Sequence, residues 1–297
     1  MFFMLCVICL FTMVTVSCNA PSGTPSNQEF VTFVDDYQRT VEVPTCPKRV
    51  VSTSPAVTEI IFALHADSLL IGRTDFCSYP PEAKKIPSIG GISNLNVEKI
   101  ASLNPDLVIS GSMVGKKATD QMDQMGTPMV CVIEKPRFEA LYDNIRAIGR
   151  LVGKEKEADS LVESLKWKVE RLLADTSLST FNSQLSTCYY VVGFGPTGNF
   201  TAGGNTFIND IIRMAGGRNI AEEVEGWNYS LEALMQENPD YIIVRREDSA
   251  AFCGMKPYNT LDAVRKGHVI GIVSGTFDLQ VPRNIDAILY LRQRMSE

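Results

Sequence analysis

Aromatic residues near predicted strand ends are the main candidates for binding chemistry in this sequence. In α/β sheets, ligands bind outside the carboxyl ends of the strands, and aromatic rings there offer rigid apolar area to a large ligand. We predict a ligand-binding set from this pattern. Its members follow strands or lie in glycine-rich loops: Phe76, Tyr79, Phe194, Phe200, Trp227 and Phe277. The alternative is that several of these rings cap hydrophobic cores.

Motifs for catalysis or metal binding are scarce. Residues 193–198 match G-x-G-x-x-G, which in dinucleotide-binding proteins opens a helix, but Pro196 and Asn199 oppose a helix start here and predict a loop. Only two histidines occur, His65 and His268, so no metal site is predicted. G-x-S-x-G, H-E-x-x-H and G-K-S/T are absent from the sequence. We therefore predict a binding protein without catalysis or a resident cofactor; a two-domain α/β enzyme is the alternative.

The composition is that of a globular protein. The 297 residues are 45% apolar and 21% charged, with a formal net charge of -6. Lysines and arginines form no cluster, which argues against a nucleic-acid partner. The cysteines after the N-terminal segment contain no C-x-x-C pair, and their spacing leaves disulfide pairing open. They are Cys46, Cys77, Cys131, Cys188 and Cys253.

The N-terminus predicts export and lipidation. Residues 1–16 are almost wholly apolar and uncharged, too few for a membrane span of about 20 residues but suited to a signal peptide. Ser17 and Cys18 close this run in a pattern that resembles a bacterial lipobox. We predict a signal peptide over residues 1–17, a lipid on Cys18 and a tether over residues 18–29. The protein would then be extracytoplasmic and membrane-anchored, in the periplasm or on the outer face of the cell membrane; an uncleaved anchor is the alternative.

Strand-like and helix-like segments alternate in two regions, residues 30–136 and 177–297, which predicts parallel α/β structure in each. Residues 137–176 between them lack proline and have apolar residues at helical spacing, interrupted by Gly149 and Gly153. This segment predicts one long helix or two abutting helices. The fold class is therefore α/β, with two Rossmann-like lobes, a single long bridging helix and a ligand cleft between the lobes.

An internal repeat relates the two lobes. Residues 97–109 align without gaps on residues 231–243, and each copy contains a glutamate, Glu98 or Glu232, followed six residues later by Asn-Pro-Asp. Each copy predicts a short helix with a carboxylate near its N-terminus, a stop at proline and then a buried strand. The alternative is that both glutamates only favour the ends of their helices.

Several segments resemble the cobalamin and iron-siderophore class of periplasmic binding proteins. They are residues 49–60, 75–81, 95–109, 200–204, 215–220 and 281–283. The resemblance runs from about residue 30 to the C-terminus and implies two α/β lobes, one rigid connecting helix and a ligand cleft.

This resemblance also implies the partners. A monomer would deliver a small-molecule chelate to an ABC permease dimer, whose arginines would receive Glu98 and Glu232. Cobalamin is the favoured ligand; haem and ferric siderophores are the alternatives.

Overall fold

A computed structural model describes residues 29–92, 95–174, 185–196 and 198–296. The predicted signal peptide, the lipidation site Cys18 and nearly all of the tether lie outside the described residues. Within the described ranges, no helix is long and apolar enough to cross a membrane.

The N-terminal lobe begins with an antiparallel hairpin and continues as a four-stranded parallel sheet of order β4-β3-β5-β6. The strands are β1 Phe30–Val34, β2 Thr40–Pro44, β3 Val50–Ser52, β4 Leu70–Arg73, β5 Leu107–Ser110 and β6 Met129–Cys131. The helices are α1 Pro55–Ala63, α2 Val97–Ser102 and α3 Lys116–Gln124. Strands β3, β5 and β6 are buried along their whole length, as expected for a parallel sheet covered on both faces.

Two helices, not one, follow the N-terminal lobe. They are α4 Ala140–Leu151 and α5 Glu155–Ala174. Gly153 adopts a left-handed φ of 67°, which ends α4, and the absence of a side chain at Gly149 lets Ala158 of α5 pack directly against α4. The two helices lie side by side. α5 alone, with 20 residues and a length of about 30 Å, is the long connecting element.

The C-terminal lobe repeats the topology, with a parallel sheet of order β8-β7-β9-β10. Its strands are β7 Ser186–Tyr190, β8 Gly217–Asn219, β9 Tyr241–Arg245 and β10 Val269–Ile272. Its helices are α6 Phe207–Met214, α7 Leu231–Glu237, α8 Arg246–Gly254, α9 Asp262–Lys266 and α10 Asn284–Arg294. In each sheet, the strand that comes first in the chain, β3 or β7, lies between the second and the third strands of that sheet. The prediction of two parallel α/β lobes is therefore confirmed.

The sequence repeat has the same structure in both lobes. Its helices, α2 and α7, begin at N-caps whose side chains accept a hydrogen bond from the backbone three residues later, Asn96 from Lys99 at 2.9 Å and Ser230 from Ala233 at 3.0 Å. Each helix then ends near an asparagine with positive φ. The repeated sequence thus provides the same type of N-cap for the helix in each lobe.

The aspartate of each Asn-Pro-Asp motif ties two strands together. Asp106 Oδ2 accepts hydrogen bonds from the backbone N–H groups of Lys48 and Arg49, just before β3. Asp240 Oδ2 accepts from the backbone N–H and hydroxyl of Thr187 in β7. The motif therefore fixes the first strand of each sheet against the third.

One hydrophobic cluster runs through both lobes and their connection. It contains fully buried residues of α1, α4, α5, α6 and α10, among them Ile60, Leu141, Leu165, Ile208 and Ile288. Because the cluster is continuous, the two lobes share one hydrophobic core where they pack against these helices.

Candidate functional site

The predicted aromatic residues of the N-terminal lobe follow β4 and are exposed. Phe76 is 62% accessible to solvent and Tyr79 is 46% accessible. Single exposed apolar side chains are common on protein surfaces, so the location of these two rings matters more than their exposure. They lie beyond the carboxyl end of a parallel strand, where α/β sheets bind ligands.

Phe200 and Trp227 of the C-terminal lobe lie on two paired extended segments. The backbone of Phe200 pairs with Gly193 on one side and Asn228 on the other, and the N–H of Thr201 donates to the carbonyl of Trp227 at 2.8 Å. Trp227 is 46% accessible, and Phe200 is half-buried. The structure thus brings these two predicted residues together beyond the carboxyl end of β7.

The glycine-rich loop packs against the ring of Phe200. A Cβ at Gly193 would lie 3.0 Å from the ring of Phe200, and one at Gly198 would lie 3.4 Å from it. Glycine at these two positions therefore leaves room for the ring. The next helix begins only at Phe207, so the helix start that a dinucleotide motif requires is missing.

Phe194 and Phe277 pack into the lobe instead of presenting a free ring. Phe194 is half-buried and makes an edge contact with Phe252, at 5.2 Å between ring centroids. Phe277 is 1% accessible and packs near Tyr190, at 6.3 Å. Of the six predicted rings, these two therefore pack against neighbouring aromatic side chains.

A buried contact between Glu59 and Arg283 joins the two lobes. Arg283 Nε lies 2.8 and 2.9 Å from the two carboxylate oxygens of Glu59, which lies in the middle of α1. The other guanidinium nitrogens donate to the hydroxyl of Thr276 and the carbonyl of Gly275, each at 3.0 Å. The guanidinium also lies over the ring of Tyr79, 4.2 Å from its centroid. One arginine therefore links α1, the loop after β10 and an exposed aromatic residue.

Sequence reasoning did not single out this pair as functional. Both residues lie in segments that carry the family resemblance, and Glu59 is the one charged residue of α1. A glutamate in such a helix could have indicated a buried ion pair, since charged side chains are rarely buried unless they are paired.

Gln280 makes a second polar connection between the lobes. Its amide nitrogen donates to the carbonyls of Lys135 and Arg137, at 2.6 and 2.8 Å, and its oxygen accepts from the N–H of Lys135. Gln280 and Arg283 lie on the same short segment before α10. This segment is the main polar attachment of the C-terminal lobe to the N-terminal lobe.

Glu98 and Glu232 are exposed in the first turns of α2 and α7. Neither side chain makes an ion pair or hydrogen bond to any other described residue. Two equivalent, unpaired carboxylates are thus available at the surface, one on each lobe.

The part of the chain that the structure describes contains no group of three or more His, Cys, Asp or Glu side chains arranged to hold a metal ion. Among the described residues, the five cysteines named above form no disulfide with one another; Cys46 is exposed, Cys253 is half-buried, and the other three are buried.

Residues 50–274 match the model of the periplasmic binding protein family. The chain belongs to this family. It is 31% identical over 217 residues to the ABC transporter substrate-binding lipoprotein YvrC of Bacillus subtilis, covering 72% of this chain and 68% of the relative. It is 26% identical over 269 residues to a cobalamin-binding protein of Halobacterium salinarum, covering 86% and 71%.

The fold agrees with solved structures of such proteins. The periplasmic haem-binding protein RhuT of Roseiflexus, in its apo form, superposes with a TM-score of 0.74 at 24% identity, covering 84% of this chain and 99% of that one. The family supplies the substrate-binding component of ABC transporters. This protein is therefore a transport component with a permease partner and a small-molecule ligand, and the prediction that it is not an enzyme is confirmed.

The inter-lobe pair should make folding stability depend on pH. Burial raises the pKa of Glu59 to about 7, although the hydrogen bond and charge of Arg283 act to lower it. The unfolded value is about 4.3, so between these values the native state binds more protons than the unfolded state. Stability should therefore fall as pH rises from about 4.3 to about 7, with a contribution of at most about 1.4 kcal/mol per pH unit.

Urea unfolding of the wild type and of Glu59→Gln across this pH range measures the effect. The difference between the two profiles should slope downwards, because Gln cannot titrate. Parallel profiles would show that Glu59 has the same pKa in both states.

Proposed function

We propose that this protein binds a bulky metal chelate, with cobalamin favoured, in the cleft between its lobes and delivers it to an ABC permease dimer. The observation that carries the proposal is the exposure of aromatic rings beyond strand ends in both lobes, Phe76 and Tyr79 on one and Trp227 on the other. Rings on two sides suit a ligand with two broad apolar faces. A relative that is a cobalamin-binding protein supports this choice.

Haem and ferric siderophores are the other candidate ligands. A haem-binding protein of the same fold supports haem. The absence of a metal-binding cluster among the described residues fits a ligand that brings its own chelated metal.

We also propose that Cys18 carries the lipid that holds the protein at the outer face of a membrane. The B. subtilis relative is a lipoprotein. The composition of residues 19–28, rich in Pro, Ser, Gly and Asn, suits a flexible tether between the lipid and β1.

Isothermal titration with cyanocobalamin, haem and ferric siderophores tests the ligand assignment. Phe76→Ala, Phe200→Ala and Trp227→Ala should each weaken binding of the ligand about thirtyfold, because a desolvated aromatic anchor contributes about 2 kcal/mol. Trp167→Ala is the matched control, since this exposed tryptophan lies on α5, away from both sets of strand ends. Three variants that bind as tightly as the wild type would place the site elsewhere.

Glu98 and Glu232 are proposed to dock the protein on its permease. They occupy equivalent positions on two similar lobes, so they present a nearly symmetric pair of carboxylates to a two-fold symmetric partner. Their lack of partners among the described residues leaves both free to meet basic side chains. Their alternative role, favouring a helix N-terminus, would contribute only about 0.3–1 kcal/mol each.

Replacing both glutamates by Gln should leave folding and ligand affinity nearly unchanged but impair uptake of the ligand in cells. The double variant Glu42→Gln with Glu237→Gln is the control, because it removes one exposed carboxylate from each lobe at positions outside the repeat's first turn. Normal uptake by the Glu98 and Glu232 variant, or loss of ligand binding, would contradict the docking role.

A further inference from the structure

A small cavity opens beside Tyr79, at the carboxyl end of β10. Its volume is about 250 Å³, and it is bounded by β10, the loop that follows it, α10 and the first residue of α8. Its polar and aromatic lining residues are Tyr79, Arg246, Thr276, Phe277, Arg283, Asp286 and Tyr290. Drug-sized ligands usually occupy about 300–1,000 Å³, so this space suits a side arm of a larger ligand and not the whole molecule.

Arg246 is an exposed residue whose side chain borders this cavity. Its Nε donates to the carbonyl of Gly271 at 3.3 Å, and the hydroxyl of Tyr290 donates to the same carbonyl at 3.0 Å. A Cβ at Gly271 would lie 3.0 Å from Cγ of Arg246, so glycine in this strand makes room for the stem of the arginine. This hydrogen bond and the contact with the strand place the guanidinium at the edge of the cavity.

The terminal nitrogens of Arg246 have no carboxylate or hydrogen-bond partner among the described residues. The other arginine of the cavity, Arg283, is already paired with Glu59. Asp286 also lines the cavity but makes no ion pair with Arg246 within the described chain. The cavity is therefore bordered by one exposed guanidinium whose terminal nitrogens have no partner among the described residues.

We propose that Arg246 and this cavity form a subsite for an anionic substituent, a carboxylate or phosphate group, of the chelate bound in the cleft. The planar edge of a guanidinium matches both groups with paired hydrogen bonds. Tyr79 connects the two sites, because it lines the cavity and belongs to the ligand-binding set. This inference rests on the proposed function and adds a charge requirement to it.

Two ligand pairs test the subsite and distinguish its two sources of negative charge. Haem carries two carboxylates that its dimethyl ester lacks, and cobalamin carries a phosphodiester that cobinamide lacks. If the protein binds one of these pairs, Arg246→Gln should weaken binding of the compound that carries the anionic group, haem or cobalamin, about ten- to a hundredfold. The affinity for the matching compound without that group should stay nearly unchanged. Arg246→Lys should retain part of the affinity, and Asp286→Asn should leave it equal or stronger, because it removes a like charge.

Arg265→Gln is the control, an exposed arginine on α9 away from the cavity, and circular dichroism checks that every variant is folded. An equal effect of Arg246→Gln on both members of a bound pair, or no effect, would overturn the subsite and leave the proposed function intact. Failure of the wild type to bind any of the four chelates would overturn the proposed function and the subsite with it.

Discussion

The buried contact between Glu59 and Arg283 is the constraint on which the rest of the site depends. It joins the middle of α1 to the start of α10, and the same guanidinium contacts Tyr79 and the loop at Gly275. Burying such a pair is costly, and it adds little net stability compared with an apolar contact. Removing one partner would instead leave the other without compensation. Its contribution is therefore best understood as geometric, because it fixes an exposed ring of one lobe relative to the other lobe.

Other contacts strengthen this fixed arrangement. Gln280 attaches the same segment to the backbone at Lys135 and Arg137, and a continuous hydrophobic cluster packs both lobes against the connecting helices. A cleft built on such contacts is largely preformed. Binding a rigid chelate would then cost little reorganisation, which favours affinity without a large closing motion.

The sequence predicted the features that depend on local pattern. Alternating segments indicated two parallel lobes, and the repeat around Glu98 and Glu232 indicated their equivalence because caps and Asn-Pro-Asp stops act within a few residues. Gly149 and Gly153 marked the break between α4 and α5. Two glycines do not by themselves distinguish an interruption within one helix from a turn that folds the second helix back against the first.

Features that depend on distant residues could not be predicted in the same way. A ring that follows a strand can turn towards the core or the cleft, and in the case of Phe277 packing around Tyr190 decides this. Glu59 and Arg283 are 224 positions apart, and a single sequence carries no information on such a pairing. The unpaired state of Arg246 likewise emerges only from the arrangement of β10, α8 and α10.

The central claim is that the lobes are held at a fixed separation before the ligand arrives. Pulsed electron paramagnetic resonance between spin labels at Lys117 and Lys266, exposed residues of α3 and α9, measures that separation directly once Cys46 and Cys253 are replaced by Ser. We expect a narrow distance distribution that moves by no more than about 1 Å when cyanocobalamin or haem binds, and a broader one in Arg283→Ala. A wild-type distribution that is broad without ligand, or that shifts by several ångströms on binding, would contradict this account.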